Sequence, residues 1–367
     1  MNLLRDYGYN EKDIHNRVIS TFHTLFEGND NERIYFEDKD GAYILDTGNN
    51  DVRSEGIGFA MMMAIQMDRQ DIFDKLWSWA MKHMYIQEGQ YKGYFHFACN
   101  TDGSLKNELP RPDGEEYISL SLLFASHRWE NRDGIFDYGT AAQKILSTAL
   151  HSENPLWNKE SYLIKNKITE THSDVSYNLP HFYELYAMCA DKNDHDFWSR
   201  AAGASREFIV RCTNKKTGMA PEYVTLRGEP LPEDEHGTFF SHSYLVAVNI
   251  ATYTLWFGDT PEFATIAKNL LTFFDGKTVD EFMDYKINGT PRDRHSLHPI
   301  GLSACLGAVV MALERTQEPV GSETQKAAQR AVKRFWETPL RTDGKRYYDN
   351  CLYFLSLLAL SGEYKVY

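Results

Sequence analysis

The stretch from Gly56 to Met67 is apolar almost all the way round a helix, and such a helix must be covered on every side. The next stretch differs, because its apolar residues recur at i, i+1, i+4 and i+5, as in Ile72, Phe73, Leu76 and Trp77. That spacing predicts an amphipathic helix with one buried face. An inner helix followed by an outer helix makes one hairpin, and the same alternation returns along the whole chain.

Helices are predicted from this period in six inner and outer pairs. The predicted ranges are 12–27, 54–67, 70–85, 114–129, 138–150, 176–191, 195–213, 241–257, 260–275, 298–314, 321–336 and 348–361. Gly258 and Gly362 directly follow two of them, and glycine is typical of helix ends. Six pairs predict an all-α fold, an (α/α)6 barrel of six inner helices ringed by six outer ones. An open solenoid of stacked hairpins is the alternative, but the chain has no fixed-period repeat.

No Pro/Gly/Ser-rich or low-complexity linker divides the 367 residues, so one domain is predicted over residues 1–367. The longest connections between helices are 28–53, 86–113, 151–175, 214–240 and 276–297. Connections of this length usually carry function. We therefore expect them to form the walls of a cleft at one end of the barrel.

Charge and composition exclude several classes of protein. The formal net charge is −13 and no Lys/Arg cluster stands out, whereas nucleic-acid-binding proteins present a basic face. The chain has no apolar run long enough to span a membrane, and its first residues lack the apolar region of a signal peptide. The five cysteines are odd in number and far apart in sequence, as in reduced proteins without a disulfide framework or a cysteine zinc site. We expect a cytoplasmic protein that binds neither nucleic acid nor membrane.

Glu55 is the first candidate for chemistry, because it stands where the apolar inner helix begins. A carboxyl group at the mouth of a buried helix can serve as a general acid. The same spacing also fits a structural role, in which Ser54 caps the helix and Glu55 is favoured in its first turn. The helix dipole lowers the pKa of a carboxyl group there, so an acid would need burial or a neighbouring carboxylate to raise it.

Asp113 and His242 also stand at predicted helix starts. Asp113 with Glu116 fits a capping box, and a lone histidine is more often structural than a base. His295 and His298 are three residues apart, but no acidic or cysteine partner stands at a zinc-motif spacing. Nucleotide-binding and serine-nucleophile motifs are absent as well. We therefore expect no metal site.

Several segments resemble glycoside hydrolase family 8, and they keep the family's order along most of the chain. These segments are Asp51–Arg69, Pro112–Tyr117 continuing to Ala125–Trp129, Ser176–Pro180 with Phe182–Glu184, Leu297–Leu302, and Arg346–Asp349. Within the family they are similar to the enzymes that release xylose from the reducing end of xylo-oligosaccharides. The first two segments together are the most specific.

This resemblance implies an (α/α)6 barrel, an inverting mechanism, no cofactor and xylo-oligosaccharides as substrates. It implies that Glu55 is the general acid that protonates the glycosidic oxygen, and that Asp113 lies under the sugar at subsite −1 and helps to distort it. The Leu297–Pro299 loop, with His295 nearby, would close one end of the cleft. The residues expected to contact the substrate are Phe97, Asp113, Tyr177, His295 and His298.

The sequence departs from the family pattern at the general base. The family has an aspartate where this chain has His242, and an arginine three residues later where this chain has Leu245. Phe97 stands where a tryptophan is expected. A neutral imidazole can also accept a proton, so three outcomes are open: His242 is the base, another carboxylate has taken over, or turnover is lost. The alternatives to a hydrolase are a catalytically impaired oligosaccharide-binding relative and an (α/α)6 sugar isomerase or epimerase with a histidine base.

Overall fold

The inner helices share one property, which is that nearly all their residues are buried on every side. A computed structural model describes residues 1–367 apart from the side chain of Glu235. The inner helices are Ser54–Gln66, Pro112–Arg128, Pro180–Cys189, Leu245–Phe257, Pro299–Ala308 and Arg346–Ser361. Their uniform apolar character requires a covering layer, which the outer helices supply.

The outer helices are amphipathic and bury one face each. They are Glu11–Glu27, Gln70–His83, Tyr138–His151, His195–Cys212, Pro261–Phe273 and Ser322–Glu337. Each follows or precedes an inner helix along the chain, which confirms the predicted (α/α)6 barrel. Two further short helices are Leu3–Asp6 and Val310–Arg315.

Three inner helices depart most from their predicted ranges, two by a later start and one by a break. The helix predicted from residue 176 starts at Pro180, because Val175–Tyr177 forms a separate 3-10 turn. The helix predicted from residue 241 likewise begins with the 3-10 turn Ser241–Tyr244. The helix predicted over 298–314 is interrupted at Val309. Gly258 and Gly362 end their helices with positive φ angles of 98° and 75°, as predicted.

The strands of this fold were not predicted, and all of them lie in the long connections. An antiparallel five-stranded sheet consists of Tyr35–Asp38, Gly41–Asp46, Asp51–Arg53, Ala98–Cys99 and Leu105–Asn107. Two antiparallel pairs are His172–Asp174 with Tyr223–Thr225, and Met283–Tyr285 with Pro291–His295. The all-α class and the barrel are confirmed, and the connections between the helices pair as short strands. The strand Asp51–Arg53 ends directly before the inner helix Ser54–Gln66, and so it fixes how that helix starts.

The two side-chain caps proposed for these helices, Ser54 and Asp113, are wrong, although Glu55 does lie in the first turn of its helix. The cap of the Ser54–Gln66 helix is Arg53, and the Ser54 hydroxyl is buried without a hydrogen-bond partner among the described residues. Asp113 lies inside its helix, which is capped by Arg111, and Glu116 accepts a hydrogen bond from Tyr183 instead of closing a capping box. Both helices begin inside the protein, where their first polar side chains face one another rather than solvent.

Glycines allow these two helices to approach closely. A Cβ added to Gly58 would lie 2.6 Å from Cβ of Tyr117, and one added to Gly114 would clash with the side chain of Ser54. No side chain other than hydrogen fits at either point. The starts of the two helices, with Glu55 and Asp113, are therefore held together by direct backbone packing.

The buried apolar residues form one continuous core that runs from Leu3 to Tyr364. Among the helices that the structure describes, none combines the length and the apolar character that crossing a bilayer requires.

Candidate active site

Glu55 lies in the first turn of an inner helix, directly after the strand Asp51–Arg53, and only 3% of it is exposed. Its Oε2 accepts a 2.9 Å hydrogen bond from the hydroxyl of Tyr347, and its Oε1 has no hydrogen-bond partner among the described residues. Burial raises the pKa of Glu55 to about 7, and the negative charge of Asp113 acts in the same direction. Burial and the charge of Asp113 therefore outweigh the helix dipole, which would lower the pKa of Glu55. They give Glu55 the raised pKa that a general acid at this position needs.

Asp113 is buried beside Glu55 at the start of the neighbouring inner helix. Its Oδ1 accepts a 2.9 Å hydrogen bond from the backbone N–H of Gly114, and its Oδ2 has no partner among the described residues. Burial raises the pKa of Asp113, while the positive charges of His242 and Arg111 oppose that rise. The site thus holds a carboxyl oxygen with free hydrogen-bonding capacity next to the proposed acid.

His242 lies on the 3-10 turn Ser241–Tyr244, and 22% of its side chain is exposed. The residue before it, Ser241, has a φ angle of 37°, which is rare for a residue other than glycine and common at functional sites. The Nδ1 of His242 is 3.3 Å from Oδ2 of Asp174 and 4.0 Å from Oε1 of Glu222. Its backbone N–H donates a 3.1 Å hydrogen bond to the same Glu222 oxygen. Two buried carboxylates therefore surround one face of this imidazole.

The charge on His242 follows from these neighbours. Burial lowers the pKa of the imidazole, but the hydrogen bond to Asp174 and the charges of Glu222 and Asp174 raise it to about 10. His242 is therefore an imidazolium at neutral pH and balances part of the negative charge around it. Its Nε2 faces the acid, 3.9 Å from Oε1 of Glu55. In the usual inverting design, roughly 6.5–9.5 Å separates the acid from the base, so this histidine stands closer to the acid than such a base does.

Part of the predicted barrier lines the cavity that contains Glu55. Leu297 and His298 line this cavity of about 340 Å³ together with Glu55, His242 and both tyrosines of the Arg346–Asp349 segment. Asp349 fixes His298: its Oδ2 is 3.0 Å from Nδ1 of His298, and its Oδ1 accepts a hydrogen bond from the N–H of Gly301.

Other residues predicted to contact the substrate lie at different places. Tyr177 is buried, with its hydroxyl 3.5 Å from Nδ1 of His242. Phe97 is half-buried, and its ring lies between the guanidinium groups of Arg53 and Arg111, at 5.3 and 5.0 Å. His295 is exposed at the end of the strand Pro291–His295 and lies outside the lining of the cavity. The structure brings Tyr177 next to His242, and it does not bring His295 into the lining of the cavity.

One group of side chains has the composition of a metal site. Asp174, Glu222 and His242 offer ligand atoms that all lie within 4.8 Å of one another, and among the described residues they are the group that meets this spacing. Here the imidazolium of His242 and the neighbouring His236, whose Nδ1 is 2.5 Å from Oε2 of Glu222, balance the two carboxylates. His295 and His298, which stand three residues apart in sequence, do not belong to this group.

Sequence reasoning missed four residues of this site. Tyr347 and Asp349 belong to the Arg346–Asp349 segment that carried the resemblance, but nothing in that segment distinguishes them from core residues of an inner helix. Asp174 and Glu222 stand at the ends of a strand pair that was not predicted. The signal that was available for Asp174 is its place two residues before the matched segment Ser176–Pro180.

Comparisons with known proteins agree with this geometry. The family model for glycosyl hydrolases family 8 matches residues 34–360. A reducing end xylose-releasing exo-oligoxylanase from Halalkalibacterium halodurans is 44% identical, over 100% of this chain and 94% of the relative. The reducing-end xylose-releasing exo-oligoxylanase Rex8A from Paenibacillus barcinonensis is 42% identical, over 100% of this chain and 96% of the relative. A crystal structure of a reducing-end-xylose releasing exo-oligoxylanase complexed with xylose has a TM-score of 0.95 and 44% identity, and the match covers 100% of this chain and 96% of that one. The chain therefore belongs to family 8 of the glycosyl hydrolases.

Proposed function

We propose that this protein is an inverting glycosidase that releases xylose from the reducing end of xylo-oligosaccharides, and that residues 1–367 form one catalytic domain. The observation that carries this proposal is the buried Glu55, whose pKa is raised to about 7, in a cavity that Leu297 and His298 also line. The full-length similarity to relatives named for this activity supports the substrate class.

Glu55 is the proposed general acid. With a pKa of about 7 it holds its proton in about half of the molecules in neutral solution, and the unpartnered Oε1 is free to face a glycosidic oxygen. Proton transfer to that oxygen lets the bond to the leaving xylose break without forming an alkoxide. The Tyr347 hydroxyl stabilises the carboxylate that remains after the transfer.

His242 is the proposed base, and its environment predicts a slow reaction. The reaction needs Glu55 with its proton and His242 without one, but the pKa values of about 7 and about 10 favour the opposite distribution. The difference is three units, so about one molecule in 10³ has the productive distribution at the best pH. A bell-shaped pH profile with its maximum between the two values is expected, because activity requires both conditions.

The barrier accounts for exo action by steric exclusion. A cleft that ends at Leu297 and His298 leaves room for a short reducing end beyond the bond to be broken. Asp113, buried next to Glu55, is proposed to lie under the ring that is distorted during the reaction. Tyr177, His298 and Phe97 are proposed substrate contacts on the two sides of the acid.

Incubation with xylotriose and xylotetraose, with products followed over time, tests the proposal. The expected result is free xylose and an oligosaccharide one unit shorter, with the new anomeric centre inverted in the initial product by NMR. Oligosaccharide binding without product would refute the hydrolase assignment. Interconversion of free monosaccharides would instead indicate an isomerase or epimerase.

A further inference from the structure

The backbone carbonyl of Leu297 is held by a side chain from a distant part of the chain. Arg341 lies in the connection between the outer helix Ser322–Glu337 and the inner helix Arg346–Ser361, and its Nη1 donates a 2.7 Å hydrogen bond to that carbonyl oxygen. Among the described residues, no other group donates to this oxygen. Because Leu297 lines the cavity that contains Glu55, a residue outside that lining determines where part of the cavity wall lies.

The same guanidinium nitrogen also binds the residue that fixes His298. Nη1 of Arg341 is 2.6 Å from Oδ2 of Asp349, and this oxygen is 3.0 Å from Nδ1 of His298. The side chain of Asp349 is 0% exposed and that of Arg341 is 16% exposed. A buried carboxylate is strongly destabilising when its partner is removed, and the guanidinium is a partner that keeps its charge at every relevant pH. One cation therefore holds both residues of the cavity wall, Leu297 directly and His298 through Asp349.

Arg341 is itself fixed at its backbone. Its N–H donates a 2.8 Å hydrogen bond to Oδ1 of Asn350, and Nδ2 of Asn350 donates a 2.9 Å hydrogen bond to the carbonyl of Arg341. Asn350 is buried and directly follows Asp349 in the last inner helix. Two adjacent residues of one helix therefore fix the backbone and the guanidinium of Arg341, and the guanidinium bridges from that helix to Leu297.

The segment that Arg341 holds has few hydrogen bonds of its own. Residue 299 is a proline and has no N–H to donate. Among the described residues, the N–H groups of residues 297–300 make a single hydrogen bond, which is 3.3 Å long and runs from His298 to Oγ of Ser296. The position of Leu297 and His298 therefore depends on contacts from other parts of the chain, and the charged ones are those of Arg341 and Asp349.

We propose that Arg341 is a positioning residue: it holds Leu297 and His298 in the cavity wall and thereby confines cleavage to the bond next to the reducing end. This inference rests on the proposed function, because it concerns the register in which the substrate is cut. The hold on Leu297 and His298 is a separate property that can be measured without turnover. Without Arg341 this segment loses its charged anchor, and a longer reducing end can enter the cavity.

Xylohexaose with deuterium in its reducing-end sugar tests the register, because mass spectrometry identifies the labelled product. Arg341→Gln should raise the ratio of labelled xylobiose to labelled xylose by about 10-fold or more, since it removes the charged hydrogen bonds that hold the segment. Hydrogen exchange of the peptide 296–302 should become faster by about the same factor, while peptides from the other inner helices are unchanged. Arg341→Lys keeps the charge on a shorter side chain and should show smaller effects, and it replaces Arg341→Gln if that variant does not fold.

Asp343→Asn is the matched control, because Asp343 pairs with Nε of the same guanidinium at 2.8 Å and is itself exposed. It should preserve both the product ratio and the exchange rate. An unchanged exchange rate of peptide 296–302 in folded Arg341→Gln, or an equal increase in all peptides, would overturn the proposed hold. Faster exchange with xylose as the sole labelled product would overturn the link to register. A lack of xylose from the unsubstituted protein would refute the proposed function, and hydrogen exchange would still decide whether Arg341 holds this segment.

Discussion

Replacing His242 by aspartate together with Leu245→Arg should raise turnover. His242 is now the positive partner of Asp174 and Glu222, and the single change His242→Asp would put a third carboxyl group beside them. Position 245 is three residues further on and starts the next inner helix, so an arginine there lies on the same side of the chain. It can supply the positive charge that the histidine gave. The single variant should gain less, because a buried carboxyl without a cation stays protonated.

The size of the gain follows from the two pKa values. The present enzyme has about one molecule in 10³ in the productive distribution, since the acid titrates at about 7 and the imidazole at about 10. An aspartate has an ordinary pKa of about 4. Over most of the pH range between that value and the pKa of Glu55, the aspartate is ionised while Glu55 still holds its proton. The double variant should therefore turn over about 10²- to 10³-fold faster. Its pH optimum should move from above the pKa of Glu55 to below it.

The assay is hydrolysis of xylotriose from about pH 5 to about pH 9, across both titrations, by unsubstituted protein, His242→Ala, His242→Asp and the double variant. Circular dichroism and denaturant unfolding check that each variant is folded. Unsubstituted protein that is as fast as the double variant, with an optimum below the pKa of Glu55, would refute the argument from protonation. Undiminished activity in His242→Ala would remove His242 from the mechanism and indicate that another carboxylate is the base.

Glu55→Gln should lower xylotriose turnover by about 10²- to 10⁴-fold while oligosaccharide binding persists; normal turnover of this unactivated substrate would contradict the acid role. The native state keeps the Glu55 proton to higher pH than the unfolded chain, so the free energy of unfolding falls as pH rises from 4.5 to about 7, by about 3 kcal/mol at most. Glu55→Gln should lose this dependence in urea unfolding at several pH values. Tyr347→Phe removes a hydrogen bond to the carboxylate, so the lower of the two pH limits, which Glu55 sets, should move upward in the pH–rate profile; an unmoved limit would exclude Tyr347 from controlling it. Shortening the Arg294–Pro299 loop should convert exo into endo cleavage of longer xylans by opening the closed end. Products that remain xylose alone would place the barrier elsewhere.

The helices were predictable because their pattern extends over many turns. Ser54–Gln66 and Gln70–His83 each repeat their pattern over three turns or more, and tertiary contacts moved the predicted ends by no more than two residues. The strand Ala98–Cys99 has two residues, and its pairing with Val52 and Arg53 comes from tertiary contacts that no local pattern encodes. Short strands of this kind carry no period to read.

The sequence predicts a site residue when its own position in a helix is enough to identify it. It does not predict a property, such as a pKa, that several distant residues set together. Glu55 was identified by its place at a helix start, but its partner Tyr347 lies 292 positions away in sequence. Whether His242 carries a proton depends on Asp174 and Glu222, which only the fold brings together. The identity of a residue at a base position therefore does not give its protonation state, since distant neighbours set the pKa.

The contact between Gly114 and Ser54 has a consequence for how such an enzyme can change over time. Any larger residue at position 114 would push the two helices apart and separate Glu55 from Asp113, so the acid half of the site cannot drift by small steps. His242 is different, because it lies on a partly exposed turn and not in a helix–helix contact. Its side chain can be exchanged without disturbing the barrel. Relatives with this fold are thus free to vary the group that activates water, while the proton donor stays where the backbone has fixed it.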